Sequence, residues 1–290
     1  MKCKSLMTSA PLISLFLKQL SYRSSNKNLI ALYNGILEPC LTAKSHYARD
    51  SAGKIRTVQV PFHECPKMSI TDYFSALGYL LTCTHHQPTF TELVQLLGQY
   101  AEWCRISASI LSVNPPTVVQ VLFDIPSHDD DVVPRFSLAS SVSAGKGEGR
   151  EDVRKERTKT LSAFWGHPLV RPSPVQRAHA MAGIGFKGIE ASAELFGTPW
   201  GHCGESVTFP SLYKSMHTAR PLGTLALSVK AMTTAIPGTS TVPVYAIQSL
   251  TQLGDIVELL RVSGSMRPMC LNCLYLRDGA GAKVEDFASS

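Results

Sequence analysis

"TPWGHCGESVTFPSL", residues 198–212, places Cys203 two positions before Glu205 and just after a Trp-Gly pair. A second stretch, "GSMRPMCLNCLYL" at 264–276, holds Cys270 and Cys273 in a C-x-x-C. Each motif alone is weak. A lone C-x-E reads equally well as a core thiol beside a surface acid. A lone C-x-x-C is redox-active, metal-binding or accidental, and Leu271-Asn272 gives no particular support to a thioredoxin-like pair. Together the two stretches offer three thiols and one carboxylate that need not be a ligand. Zinc accepts thiolate sulfur, takes four ligands, and becomes catalytic when protein supplies only three. The remaining position then holds a water whose acidity the metal raises, and a neighbouring carboxylate can move its protons.

The spacing predicts local geometry. If Cys203 opens a helix, Glu205 projects from a neighbouring side of its first turn, and Pro210 ends or kinks that helix after about two turns. Cys270 and Cys273, at i and i+3, share one face at another helix start. Helix N-termini favour thiolates through their free amides and dipole.

On these residues the chain resembles the zinc-dependent cytidine deaminase-like superfamily, in which a C-x-E is followed by a proline-led C-x-x-C. "WGHCGE" and "CLNC" look most like its YwqJ-like, fungal and toxin-related branches. The resemblance covers about residues 175–276. It implies a three-layer α/β zinc domain with Cys203, Cys270 and Cys273 on Zn2+ and Glu205 as proton shuttle. The implied substrate is a nucleobase or nucleoside, free or in nucleic acid. Zinc-bound hydroxide would attack its amino-bearing carbon, and ammonia would leave. Two positions depart from the pattern: Gly204 stands where alanine is usual, and Met269 separates Pro268 from Cys270.

Three thiolates on Zn2+ leave a net negative site, which a nearby cation would offset; Arg267 is the first candidate and Arg277 the second. His202 could replace Cys203 as ligand. His202 or His217 could also close a structural four-ligand site in a non-enzymatic interaction protein, which is the alternative reading. His179 and His217 otherwise read as helix-surface or core-edge residues.

The rest of the chain sets the frame. Its 290 residues suffice for one large domain or two ordinary ones, and 44% hydrophobic residues fit a globular chain. No apolar run has the roughly 18 residues of a membrane span. The N-terminus begins like a signal peptide, but its apolar stretch "PLISLFL" is short and Lys18 follows at once. It reads as an amphipathic helix, and the expected location is intracellular, with no membrane partner. The net charge of +6 is uneven: residues 1–60 hold nine Lys/Arg against two acids, and 160–290 hold ten against eight. No segment has the basic stripe with interleaved aromatics of a nucleic-acid groove. The five cysteines at 3, 40, 65, 83 and 104 read as buried reduced thiols.

Residues 127–160 are rich in Ser, Gly and mixed charge, so a flexible linker is expected there. That divides the chain into a mainly helical domain at 1–126, the linker, and the α/β zinc domain at 161–290. In the first half, "SITDYFSALGYLLTCTH" predicts a helix with a Ser cap and Ile70, Phe74, Leu77 and Leu81 at helical spacing. "TFTELVQLLGQYAEWCRISASILS" predicts a second helix, capped by Thr89 or Thr91 and ended by Pro115-Pro116. In the second half, "GTLALSVKAM" and "VPVYAIQSL" predict strands and "LGDIVELLRVSG" a helix, while 178–189 suits either a strand pair or a softened helix. "FHECP" (62–66) has no partner ligand at metal spacing and reads as a loop; "HDDD" (128–131) reads as solvated charge and "GKGEG" (145–149) lacks the phosphate-loop pattern.

Overall fold

A computed structural model describes residues 10–23, 25–63, 65–126, 132–143, 148–165, 200–212, 221–232, 253–270, 272–274, 277 and 284–287. The class is mixed α/β. Four strands form one sheet in the order β4-β3-β5-β6: β3 is Val118–Asp124, β4 Phe136–Ser140, β5 Leu222–Ser228 and β6 Val284–Asp286. β3 runs antiparallel to both β4 and β5, and β6 runs parallel to β5.

The two faces of this sheet differ in composition because side chains alternate along each strand. Register puts Val119, Val121 and Phe123 on the same face as Phe136, Leu138, Leu225 and Leu227, and all seven are buried. This large apolar face joins the main core, beneath α4 (Tyr73–Thr84) and α5 (Phe90–Leu111). The opposite face carries Gln120, Ser137, Ala139, Thr224 and Ala226, with Leu122 as a large apolar member. Small and polar side chains there let a short helix, α7 (Glu205–Ser211), approach the backbone closely, with α6 (Glu148–Trp165) packed beside it. The remaining elements are α1 (Ala10–Arg23), α2 (Lys27–Leu32) and α3 (Glu38–Ala43), the last two joined by a π-helical turn at Tyr33–Leu37, the hairpin of β1 (Val58–Phe62) and β2 (Cys65–Ile70), and α8 (Leu253–Val262).

Several local expectations hold. α5 starts at a full capping box, in which Thr89 accepts from the Glu92 amide and the Glu92 carboxylate accepts from Thr89 N. β5 and α8 fall on the expected stretches, and Gly264 follows α8 at φ +64. α1 is helical, with Ile13 and Leu17 buried on one side and Leu12 and Leu15 exposed. Cys40, Cys65 and Cys104 are buried and Cys83 half-buried, all as free thiols. No helix among the described residues is long and apolar enough to cross a membrane. The stretches at 178–189 and 242–250, His179, His217 and the HDDD run lie outside the described residues.

Three expectations are corrected. The cap of α4 is Asp72, whose carboxylate accepts from Ser75 N at 2.9 Å; Ile70 belongs to β2, paired with Val58. The loop expected over "FHECP" is shorter: Phe62 ends β1, Cys65 begins β2, and His63 turns between them at φ +48. The supposed linker carries β4 and most of α6, and the one sheet draws β3, β4 and β5 from all three expected segments. Beneath it, one apolar cluster runs from Ile13 to Met266. The described residues therefore do not divide at 127–160.

An ion pair is buried where α4, α6 and β4 meet. Arg157 donates to Asp72 at 3.0 Å, to Ser75 Oγ at 2.7 Å and to the Ser140 carbonyl at 2.9 Å. Only 2% of either charged residue is exposed. Burial pushes the Asp72 carboxyl up, but the Arg157 charge and the Ser75 hydrogen bonds outweigh it and hold the carboxyl below its usual range. The pair thereby clamps the amino end of α4 to the helix that flanks the C-x-E motif.

Candidate metal centre

Segment 200–204 reaches the sheet along α6. Trp200 is buried, its carbonyl accepts from Arg154 Nη1 at 3.3 Å, and Gly201 at φ +79 sits against the Arg154 carbonyl, where a side chain would not fit. The His202 carbonyl accepts from Val142 N at 2.8 Å, which ties the motif to the end of β4. Gly204 is then the N-cap of α7. A Cβ on it would stand 2.8 Å from Gln120 Oε1 and 3.5 Å from the Ala139 carbonyl carbon. The glycine is thus demanded by the close approach of α7 to β3 and β4, and at an N-cap it costs little helix propensity.

We expect Gly204→Ala to destabilise the chain by about 1–3 kcal/mol, the usual range for overpacking. The Gln120 amide has little room to yield, because Nε2 is held on Thr224 Oγ1 at 2.9 Å. A thermal melt of the variant beside wild type checks this; an unchanged melting temperature would mean that the contact relaxes freely.

The C-x-x-C arrives from the other side. After α8, residues 265–267 pair with the end of β5 through Ser228 N on Ser265 O at 2.8 Å and Arg267 N on Ala226 O at 2.9 Å. The Met269 amide then donates to Asp286 Oδ2 on β6 at 2.9 Å. Met269, the residue inserted between Pro268 and Cys270, supplies an amide that proline could not, and its side chain is buried beside Cys273. Leu274 N bonds the Cys270 carbonyl, so the motif closes as one helical turn.

These two arrivals bring all three cysteines together. Cys203 and Cys270 Sγ are 3.4 Å apart, Cys270 and Cys273 Sγ 3.3 Å, and the three sulfurs lie within 4.8 Å of one another. All three are free thiols. A tetrahedral zinc with bonds of about 2.3 Å to sulfur needs sulfurs roughly 3.8 Å apart, so the cluster can hold a metal ion with small adjustments. Among the described residues it is the one group of three or more such side chains so placed. A satellite core of Leu122, Leu161, Trp200, Phe209, Leu212 and Leu222 packs around it.

Glu205, 6% exposed, stands against the cluster. Burial, then the charge on Cys270, pushes that carboxyl up to about 8. The Cys203 and Cys273 thiols beside it draw Cys270 down to about 3, and those two thiols are held well above the usual thiol range. A cavity of about 10 Å³ adjoins Cys203 and Cys273, between Trp200, Ser206 and Asn272. That is room for about one water.

His202 lies outside the sulfur group. Its Nδ1 faces Arg150 Nη2 at 3.4 Å. Burial, then the charges of Arg150 and Arg157, holds the imidazole down to about 4, hence neutral near pH 7. Arg267 turns away from the thiols, donating to the Gly264 and Met266 carbonyls at 3.0 and 3.1 Å. Arg150 faces His202 and Arg154 the Trp200 carbonyl, and no spacing in the sequence signals either. Asp286 and Gln120 were equally hidden, since each acts across the sheet from a distant stretch.

No protein-family model, no curated protein and no solved structure matches this chain.

Proposed function

We propose that the chain is a zinc-dependent hydrolytic deaminase with a cytidine deaminase-like fold, acting on a nucleobase or nucleoside, free or in nucleic acid. One observation carries this reading: the three sulfurs of Cys203, Cys270 and Cys273 converge beside a buried carboxylate, Glu205. The fold reading has the same support. A strand pair, the C-x-E helix, a third strand, the C-x-x-C turn and a parallel fourth strand follow in chain order around one sheet.

Zinc bound to three thiolates would supply Lewis acidity and a water made acidic enough to react near neutral pH. The chain's own residues do the rest. Glu205, at the first turn of α7, is placed to accept a proton and return it to a leaving amine. Met269 N on Asp286 fixes where Cys270 stands, and Gly204 on Gln120 fixes where α7 begins.

The first test is zinc per chain in purified protein, wild type beside Cys270→Ser. One equivalent in wild type, lost in the variant, together with ammonia release from one of a panel of bases and nucleosides, is the expected result. Well-folded wild type without zinc would overturn the reading. The small cavity favours a second reading, a structural zinc site in a non-enzymatic protein, since a volume of about 10 Å³ admits water but no base. Zinc without ammonia from any substrate would select it.

A further inference from the structure

The two stretches that carry the thiols are anchored to the sheet by hydrogen bonds that involve no sulfur. The His202 carbonyl on Val142 N fixes the approach of Cys203. Arg267 N on the Ala226 carbonyl and Met269 N on Asp286 fix that of Cys270. Cys203 and Cys270, 67 residues apart in the chain, thereby stand at an Sγ separation of 3.4 Å without help from a metal. A disulfide needs about 2.05 Å between its sulfurs, and rotation of the two side chains can close that gap.

Cys270 has a second sulfur at a similar distance, Cys273 at 3.3 Å. Exposure separates the two partners. Cys203 and Cys270 are both half-buried, whereas Cys273 is 3% exposed and sits in the satellite core with Leu122, Trp200 and Met269. A dissolved oxidant therefore reaches Cys203 and Cys270 before Cys273. Cys40, Cys65 and Cys104 are buried in the main core, out of its reach.

Resting on the zinc reading, we infer that the metal centre is gated by oxidation: a hydroperoxide joins Cys203 to Cys270 in a disulfide, and the oxidised chain cannot take up zinc. In the first step one sulfur attacks a peroxide oxygen, the O–O bond breaks, water leaves and a sulfenic acid remains. In the second step the other sulfur displaces that hydroxyl as water, and the S–S bond forms. With hydrogen peroxide, both oxygens and both thiol protons end in two waters; the sulfurs are oxidised and the peroxide is reduced. Disulfide sulfurs carry no negative charge to give a metal, so two of the three ligands are lost at once. A dithiol reductant reverses the step by exchange and restores the set.

The test uses the full chain, stripped of metal by a chelator and treated with one equivalent of hydrogen peroxide. Peptide mapping by mass spectrometry should find a link between Cys203 and Cys270, with Cys40, Cys65 and Cys104 still free thiols. Zinc uptake should fall from one equivalent per chain to none and return after dithiothreitol. Cys273→Ser leaves both partners in place and should form the same link, whereas Cys203→Ser should not. No link, a link from Cys270 to Cys273 in its place, or zinc uptake unchanged by the link would overturn the inference. Failure of the metal reading shows separately, as untreated wild type that takes up no zinc; gating then falls with it, and the peptide map still reports whether the two thiols pair.

Discussion

Replacing Glu205 with alanine is expected to leave one zinc per chain and to lower ammonia release by about 10²–10⁴-fold, the span of general acid–base catalysis. On the proposed reading the three sulfurs would hold the metal without the carboxylate, so binding and turnover would separate at this residue. Elemental analysis and an ammonia assay on the same preparation check it. If the variant keeps full activity, Glu205 is not the proton shuttle; if it loses zinc, the carboxylate helps to build the site.

The same group has a consequence for stability in metal-free protein. The folded carboxyl, pushed up to about 8, lies above its value in the unfolded chain. The folded state therefore binds the extra proton, and its stability falls as pH rises from the ordinary carboxylate range towards 8. Glu205→Gln, which mimics the protonated form, should flatten that slope. After chelator treatment the variant is expected to melt above wild type at pH 8 and close to it at pH 4. Parallel curves for the two proteins would show that the carboxylate is better solvated than its burial implies.

The second large effect concerns the buried pair. Asp72→Asn keeps a side chain able to cap α4 but leaves the Arg157 guanidinium buried without its counter-charge. A loss of about 3–5 kcal/mol is expected at pH 7, or roughly 10 °C in melting temperature. The pH dependence follows from the depressed Asp72 carboxyl. Its contribution is complete above the unfolded-state value and is lost as pH falls through the lower folded-state value, so wild type and variant should converge in strong acid. Asp72→Asn combined with Arg157→Met should cost less than the two single changes summed, because no charge is then left unpaired. Additive losses would mean that the two residues act independently. α6 is anchored by this pair, so weakening it also loosens the wall along which Trp200, Gly201 and His202 run.

Local chemistry alone bounded several elements. A threonine cap at Thr89 or Thr91 and the double proline beyond Ser112 delimited α5 from the sequence, since caps and prolines act within a few residues of themselves; the structure selected Thr89. The four motif residues were legible for the same reason: thiols at i and i+3, and a thiol two positions from a carboxylate, are short-range patterns. The chain's sequence also named the kind of ligand such a set would take, because sulfur preference is a property of the side chain and not of the fold.

Only the tertiary structure decided the rest. Residues 136–140 looked like linker because Phe136 and Leu138 are few among serines, yet a strand with one large apolar face and one small face needs no more than that. Its meaning lies in what covers it, α4 on one side and α7 on the other. In the sequence Gly204 and Met269 are departures from the family pattern; what each does is set by Gln120 against the one and by Asp286 on the amide of the other. Arg150 came to the thiol motif across 52 residues of chain, in place of Arg267, which lies within three of Cys270. Periodicity and capping report on neighbours along the chain, whereas close approach, charge pairing and strand order are fixed by neighbours in space, and those appear once the sheet has assembled.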